Sequence, residues 1–308
     1  MRPVDDLPDA FTAATAHATG ASRGRLERTG YERPFHGVWQ RPAPVELDPR
    51  SAHRRRLSAF AAAAGADEFV SHVSAAVAWG VPLPPWLPTD DIDISVRLPL
   101  RSPRGRGVRG HSVAEHLVRV VDHPSLAMRV TDPATTWAML GGLLRHPYDL
   151  IAAGDALVRT PQHRNDPPAL TTLAALEDAV RAGRRIGVTA LREALPRIRV
   201  GASSPRESWV RLLLVDAGLA EPVLAFVVLD ETGRFVARLD QAYPRERVAI
   251  EYEGEQHLTD PEQWARDIRR YDDLAALGWT VVRLTALDLR EGTAVSRVRR
   301  ALSRSRRP

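Results

Sequence analysis

In Arg247-Val248-Ala249-Ile250-Glu251-Tyr252-Glu253-Gly254-Glu255-Gln256-His257, large apolar side chains alternate with charged ones or alanine until Gly254 ends the run. Alternation with period two marks a strand, because successive side chains leave a pleated backbone on opposite sides. Val248, Ile250 and Tyr252 then share an apolar face that calls for a helix against it. Arg247, Ala249, Glu251 and Glu253 share the other face, with the two carboxylates about 6–7 Å apart at the usual strand rise.

The neighbouring sequence supplies the rest of a small α/β unit. Upstream, Val223–Leu229 and Arg234–Asp240 read as strands joined by the turn Asp230-Glu231-Thr232-Gly233. Before them, Ser204-Pro205-Arg206-Glu207 is a capping box with proline at the first helical position, opening a helix to about Ala217 that Gly218 closes. Downstream, Asp260-Pro261 starts a helix ending at Gly278, Trp279–Leu284 is a fourth strand, and a basic helix closes the chain. The order is αβββαβ. If the second and third strands are neighbours, Asp240 at the end of one meets Glu251 and Glu253 on the other. Clustered carboxylates oppose one another's ionisation unless a cation joins them. A hard divalent ion is the natural resolution, and Mg²⁺ takes one or two carboxylates plus waters and a substrate phosphate.

Asp240, Glu251-Tyr252-Glu253-Gly254 with Gln256-His257, Trp264, Asp267 and Arg270, and Gly278-Trp279-Thr280-Val281-Val282-Arg283 together resemble the Vsr-like branch of the PD-(D/E)XK nuclease superfamily. The resemblance covers residues 204–290 and implies a restriction-endonuclease-like αβββαβ core. It implies that Asp240 and Glu251 are metal-binding acids and that Glu207 is the acid of the first helix. Glu253 falls where the wider superfamily has lysine, which this branch commonly lacks. His257 matches a histidine after the third strand, a base for water or a contact to the scissile phosphate. The implied chemistry is phosphodiester hydrolysis with Mg²⁺, or with Mn²⁺ in its place. Each residue also has a plainer role available. Glu207 suits a capping box with Arg211 one turn on. Arg266 and Arg270 either contact phosphate or pair with Asp267 and Asp273. Trp209, Trp264 and Trp279 suit a core.

Composition narrows the chemistry further. The chain has 308 residues, 44% of them hydrophobic, enough for two or three cores. Zero cysteines exclude disulfides, thiol nucleophiles and Cys-ligated zinc. All 43 basic residues are arginine, which removes Schiff-base chemistry and the phosphate-binding P-loop. Residues 1–200 carry 26 arginines against 21 acids, whereas 201–296 are net −6 before a tail with six arginines in its last twelve residues. No apolar run approaches the roughly 18 residues of a membrane span, and the N-terminus lacks a signal-peptide core. A cytoplasmic protein with no membrane partner is expected.

The N-terminal two thirds divides by composition into residues 1–50, 51–160 and a helical linker at 161–200, ahead of 201–308. Residues 9–45 read as helix, Gly turn, helix and a two-stranded wing, the order of a winged helix-turn-helix. Gly37-Val38-Trp39, Ser71-His72-Val73-Ser74-Ala75-Ala76 and Val130-Thr131-Asp132-Pro133-Ala134-Thr135-Thr136-Trp137 resemble, more loosely, the AbiEi-type antitoxin region. Arg104, Arg106 and Arg109 lie in a loop suited to DNA phosphates, or simply to solvent. The expected whole is a mixed α/β protein: a metal-dependent DNA endonuclease. The alternative is a DNA-binding regulator or antitoxin-like protein whose nuclease fold is not catalytic. A toxin or other defence-system protein is then the expected partner, and the oligomeric state stays open.

Overall fold

A computed structural model describes residues 7–162, 164–253 and 261–305, the side chains of 261–265 apart. The chain is mixed α/β and packs as two units, Met1–Arg145 with Thr171–Leu195, and His146–Leu170 with Pro196–Pro308. The expected linker at 161–200 is therefore shared out: its ends go with the C-terminal unit and its middle returns to the N-terminal one. The segments 1–50 and 51–160 are likewise not separate. Phe35 and Val38 share one core with Leu57, Val70, Ile92 and Val130.

In the N-terminal unit, β1 (Ala10–Thr12), α1 (Ala13–Ala18), α2 (Arg23–Arg28), β2 (Glu32–Phe35) and β3 (Val38–Gln40) form two helices and an antiparallel sheet ordered β1-β3-β2. Thr12 caps α1 by accepting the Thr15 N–H. Then follow α3 (Pro49–Ala61), β4 (Phe69–Val70), α4 (His72–Ala78), β5 (Ile92–Arg97), β6 (Val108–Val113), β7 (Val120–His123) and β8 (Leu126–Thr131). Their sheet is ordered β6-β5-β4-β8-β7 and is parallel at β5/β6 and β4/β8. The stretch read as an arginine loop turns into β6 at Val108, so Arg109 is a strand residue. Helices α5 (Pro133–Leu140), α7 (Leu173–Arg181) and α8 (Val188–Ala194) complete the unit; α6 (Pro147–Leu157) belongs to the other. Gly187 is required where it stands: with φ +79°, a Cβ there would lie 2.1 Å from the Gly141 carbonyl carbon.

In the C-terminal unit, α9 (Pro205–Asp216), β9 (Val223–Leu229), β10 (Phe235–Tyr243), β11 (Val248–Tyr252), α10 (Pro261–Ala276) and β12 (Thr280–Leu284) follow the expected αβββαβ order. The sheet is ordered β12-β11-β10-β9. The first three strands pair antiparallel, and β12 lies parallel to β11 because α10 carries the chain back. Val248 and Ile250 pack with Val210 and Leu214 of α9 and with Val298 and Leu302 of α12 (Ala294–Ser305), whereas Ala249 packs with Leu274 of α10. Both faces of β11 are thus covered, and Glu251 near its end is buried with them. A short helix, α11 (Ala286–Arg290), precedes α12.

The start of α9 departs from a full capping box. Ser204 Oγ accepts the Glu207 N–H at 3.2 Å, but the Glu207 carboxylate accepts from Ser203 N–H at 2.7 Å, one residue before the cap. Arg211 turns away from Glu207 to buried Asp155 of α6, 2.8 Å away, and to Glu221 at 3.0 Å. That pair sets α6 against α9, which is why residues 146–170 join this unit. Among the described residues, no helix is long and apolar enough to cross a membrane.

Candidate active site

Gln241 of β10 faces Ile250 of β11, so the next register position places Asp240 opposite Glu251. Such antiparallel neighbours have Cα atoms roughly 4.5–5.5 Å apart. The Asp240 carboxylate also accepts the Tyr252 N–H at 3.3 Å. Its charge acts on two other acids at once, Glu251 on β11 and Glu207 at the start of α9. Two strands and a helix thus bring toward Asp240 the acids that the sequence suggested.

The environment of each carboxylate differs. Glu207 and Glu251 are both buried, at 6% and 5% exposure. Burial first, and then the Asp240 charge, push the Glu207 carboxyl up to about 7. Burial likewise raises Glu251 to about 7, against the pull of the Arg270 guanidinium. Arg270 reaches Glu251 Oε2 at 2.5 Å, so its ion pair crosses from α10 to β11, and the Asp267 charge acts on it as well. The Tyr271 hydroxyl lies 3.0 Å from Glu251 Oε2 and 2.9 Å from Glu253 Oε1, one hydroxyl joining two carboxylates. The guanidinium groups of Arg270 and Arg283 both stack on the Tyr271 ring.

Glu251 Oε1 is buried without a hydrogen-bond partner, as is Gln241 Oε1. An unsatisfied buried carboxylate oxygen costs more than a typical hydrogen bond contributes. Glu251 therefore offers an oxygen beside Asp240 for a ligand to satisfy. The residues fit a two-carboxylate Mg²⁺ site, the number this ion commonly uses. They do not assemble the expected three-acid set: among the described residues, no three His, Asp or Glu side chains are placed to hold one ion. Glu207 is tied to the Ser203 N–H, and Glu253 is held by Tyr271. Beside the pair is a cleft of about 380 Å³, lined by Asp240, Arg238 and Arg270, among others.

His257 and the Trp264 side chain lie outside the described residues. Trp209 and Trp279 are partly buried; Trp279 packs near Phe226. Arg266 is exposed on α10. In the N-terminal unit, Arg104 and Arg106 are exposed, while Arg109 lies 3.7 Å from the buried Asp93 carboxylate. Sequence reasoning gives Tyr271 and Arg238 no role, and names Arg283 only as the end of the Gly278–Arg283 run. The parallel pairing of β11 and β12 places Arg283 beside Glu251.

A second polar cluster lies in the N-terminal unit. His111 Nε2 is 2.9 Å from Asp93 Oδ1, and the His72 and His111 rings stack at 4.0 Å. Ser95 donates to Ser71, whose hydroxyl is 2.9 Å from His72 Nδ1. His72 adopts φ +48°, uncommon for a residue with a side chain. Burial, and then the nearby His111, lower His72 to about 4.

No family model matches the chain. It is 32% identical over 213 residues to "Uncharacterized protein Rv2248" of Mycobacterium tuberculosis (strain ATCC 25618 / H37Rv), over 64% of this chain and 76% of that protein. The same figures hold for "Uncharacterized protein MT2308" of strain CDC 1551 / Oshkosh. A crystal structure of the RV2827C protein from Mycobacterium tuberculosis aligns over 73% of this chain and 85% of that one, at 17% identity and a TM-score of 0.38, too low to argue a shared fold. At the identity and coverage of the first two relatives, the chain belongs to the family of the mycobacterial protein Rv2248.

Proposed function

We propose that the C-terminal unit is a metal-dependent endodeoxyribonuclease with a restriction-endonuclease-like core, hydrolysing phosphodiester bonds at the Asp240–Glu251 pair. One observation carries the reading: Asp240 stands opposite Glu251, whose Oε1 is buried and unpartnered. These two carboxylates would hold Mg²⁺ or Mn²⁺. A bound ion lowers the pKa of water and offsets charge on phosphate oxygens. Arg270 acts as a positioning residue, fixing Glu251 Oε2 and leaving Oε1 without a partner. Arg238 and Arg270 supply positive charge to the cleft, in a chain without lysine. Glu207, raised to about 7, is suited to hold or release a proton near neutral pH.

The test is incubation of the full chain with plasmid, single-stranded and mismatched DNA, in Mg²⁺, Mn²⁺ and chelator, beside Glu251→Ala and Asp240→Asn. Metal-dependent cleavage that both substitutions reduce by about 100-fold or more is expected, the scale of losing one well-placed electrostatic catalytic group. Cleavage of no substrate, or cleavage indifferent to both substitutions, overturns the reading.

A second reading is a DNA-binding regulator, antitoxin-like, with a non-catalytic nuclease fold and a toxin partner. It is supported by two short helices, α1 and α2, followed by the β2–β3 hairpin, with Arg23 and Arg28 exposed on α2. The Arg270–Glu251 ion pair also suits it, since it neutralises the site without a metal. Protection of a site upstream of its own gene, bound through the N-terminal unit, distinguishes this reading. A cytoplasmic location goes with both.

A further inference from the structure

The cleft beside Asp240 is longer than a metal site needs. Its floor runs along β10 from Asp240 back to Phe235, five residues away, or roughly 16 Å at strand rise. Phe235 is 58% exposed, the most exposed phenylalanine or tryptophan in the described chain. The β9–β10 register shifts between Phe235 and Ala237, an irregularity of the kind that re-aims side chains at a strand end. Arg238 lies between the two ends, its guanidinium donating to the Gln162 carbonyl, and Arg270 of α10 stands at the Asp240 end, paired with Glu251. The cleft thus has an aromatic face at one end, the Asp240 carboxylate at the other and Arg238 between. At about 380 Å³ it matches a small-ligand pocket and is too small for a closed duplex.

We infer that this cleft seats an unpaired stretch of DNA, with a base stacked on Phe235 and the backbone passing Arg238 toward Asp240 and Arg270. The inference rests on the nuclease reading for the identity of the polymer. Charge alone is a poor source of affinity here, because residues 201–296 are net −6. Stacking supplies what charge does not: every base has a π-face, so the contact is available to any sequence. A duplex keeps its bases stacked on one another and cannot present one to Phe235. The cleft therefore selects single-stranded, nicked or locally opened DNA.

The experiment measures binding without cleavage. The full chain, in chelator, is titrated against a fluorescein-labelled 12-nucleotide single strand and the same sequence as a duplex, and anisotropy is read. Phe235→Ala is expected to weaken single-strand binding roughly 5- to 150-fold, the range for losing one base–aromatic stack, and to leave duplex binding unchanged. Phe235→Trp is expected to retain it. An exposed ring is not needed for folding, and circular dichroism checks this. A strand carrying 5-iodouracil is expected to photo-crosslink to the peptide containing Phe235. Equal loss on strand and duplex, no loss in Phe235→Ala, or crosslinking only to other aromatic residues overturns the inference. Phe235-dependent strand binding without any metal-dependent cleavage leaves this inference standing and removes the hydrolase. Cleavage without Phe235 dependence does the reverse.

Discussion

Glu207→Gln should stabilise the protein at pH 8 and do nothing at pH 4. The carboxyl is buried near Asp240, and both effects raise it from its ordinary 4.5 to about 7. A folded pKa above the unfolded one means that the native state holds the proton more tightly. Stability is therefore greatest below 4.5 and declines as pH rises through the window up to about 7. The displacement corresponds to roughly 3 kcal/mol at pH 8 if it is fully expressed, and solvent relaxation can only reduce it. The amide keeps the shape, and its oxygen can still accept the Ser203 N–H that now bonds the carboxylate at 2.7 Å. It removes the buried charge and little else. Thermal unfolding by circular dichroism in chelator, at steps from pH 4 to 8, should show the two proteins diverge across that window, by roughly 6–12 °C at the top. A variant that is less stable than the parent at pH 8, or a difference that does not change with pH, would show that Glu207 is ionised at little cost, and the electrostatic account of the acid cluster would fail with it.

Two further outcomes test other parts of the molecule. Arg211→Met leaves Asp155, which is fully buried, without its guanidinium partner; urea unfolding should show a loss of about 3–5 kcal/mol, the cost of stripping one member of a buried pair, and adding Asp155→Asn should restore part of it. A loss below about 1 kcal/mol, the scale of an exposed pair, would mean that the contact does not hold α6 on α9. His72, lowered to about 4 by burial and then by His111, should stay neutral from pH 8 to 5 in an NMR titration; because its folded pKa lies below the unfolded one, it withdraws stability as pH falls from about 6.5 toward 4. A midpoint near 6.5 would contradict the buried stack.

Much of the C-terminal unit was legible because its signals are local. A proline at the first helical position, glycines after helices and alternation in Val248–Tyr252 each act within a few residues, and together they predicted the αβββαβ order that the structure has. Glu251 and Glu253 on one strand face followed from parity alone, and the Tyr271 hydroxyl touches both. What parity cannot supply is partners. Whether Asp240 meets Glu251 depends on strand register, and whether Arg270 turns to Asp267, Asp273 or Glu251 depends on where α10 packs. The same limit explains the N-terminal unit, where β6 hides in a stretch of arginine, glycine and polar residues that reads as a loop. Its pairing with β5 comes from a neighbour 16 residues away at the first matched position, Ile92 to Val108.

The exchange of chain between the two units shows the division most plainly. Composition alone reads 161–200 as a linker, since proline and polar residues cluster there. Yet Asp155 and Arg211, 56 positions apart, cannot be recognised as a pair until α6 and α9 lie together. Residue type and spacing decide which segments become helices or strands and which side of each is charged, because those forces act over one turn or one pleat. Burial decides the rest: which charges must find each other, which carboxyl keeps its proton and which oxygen is left for a ligand. Those outcomes depend on removal from water, and only the folded chain removes it.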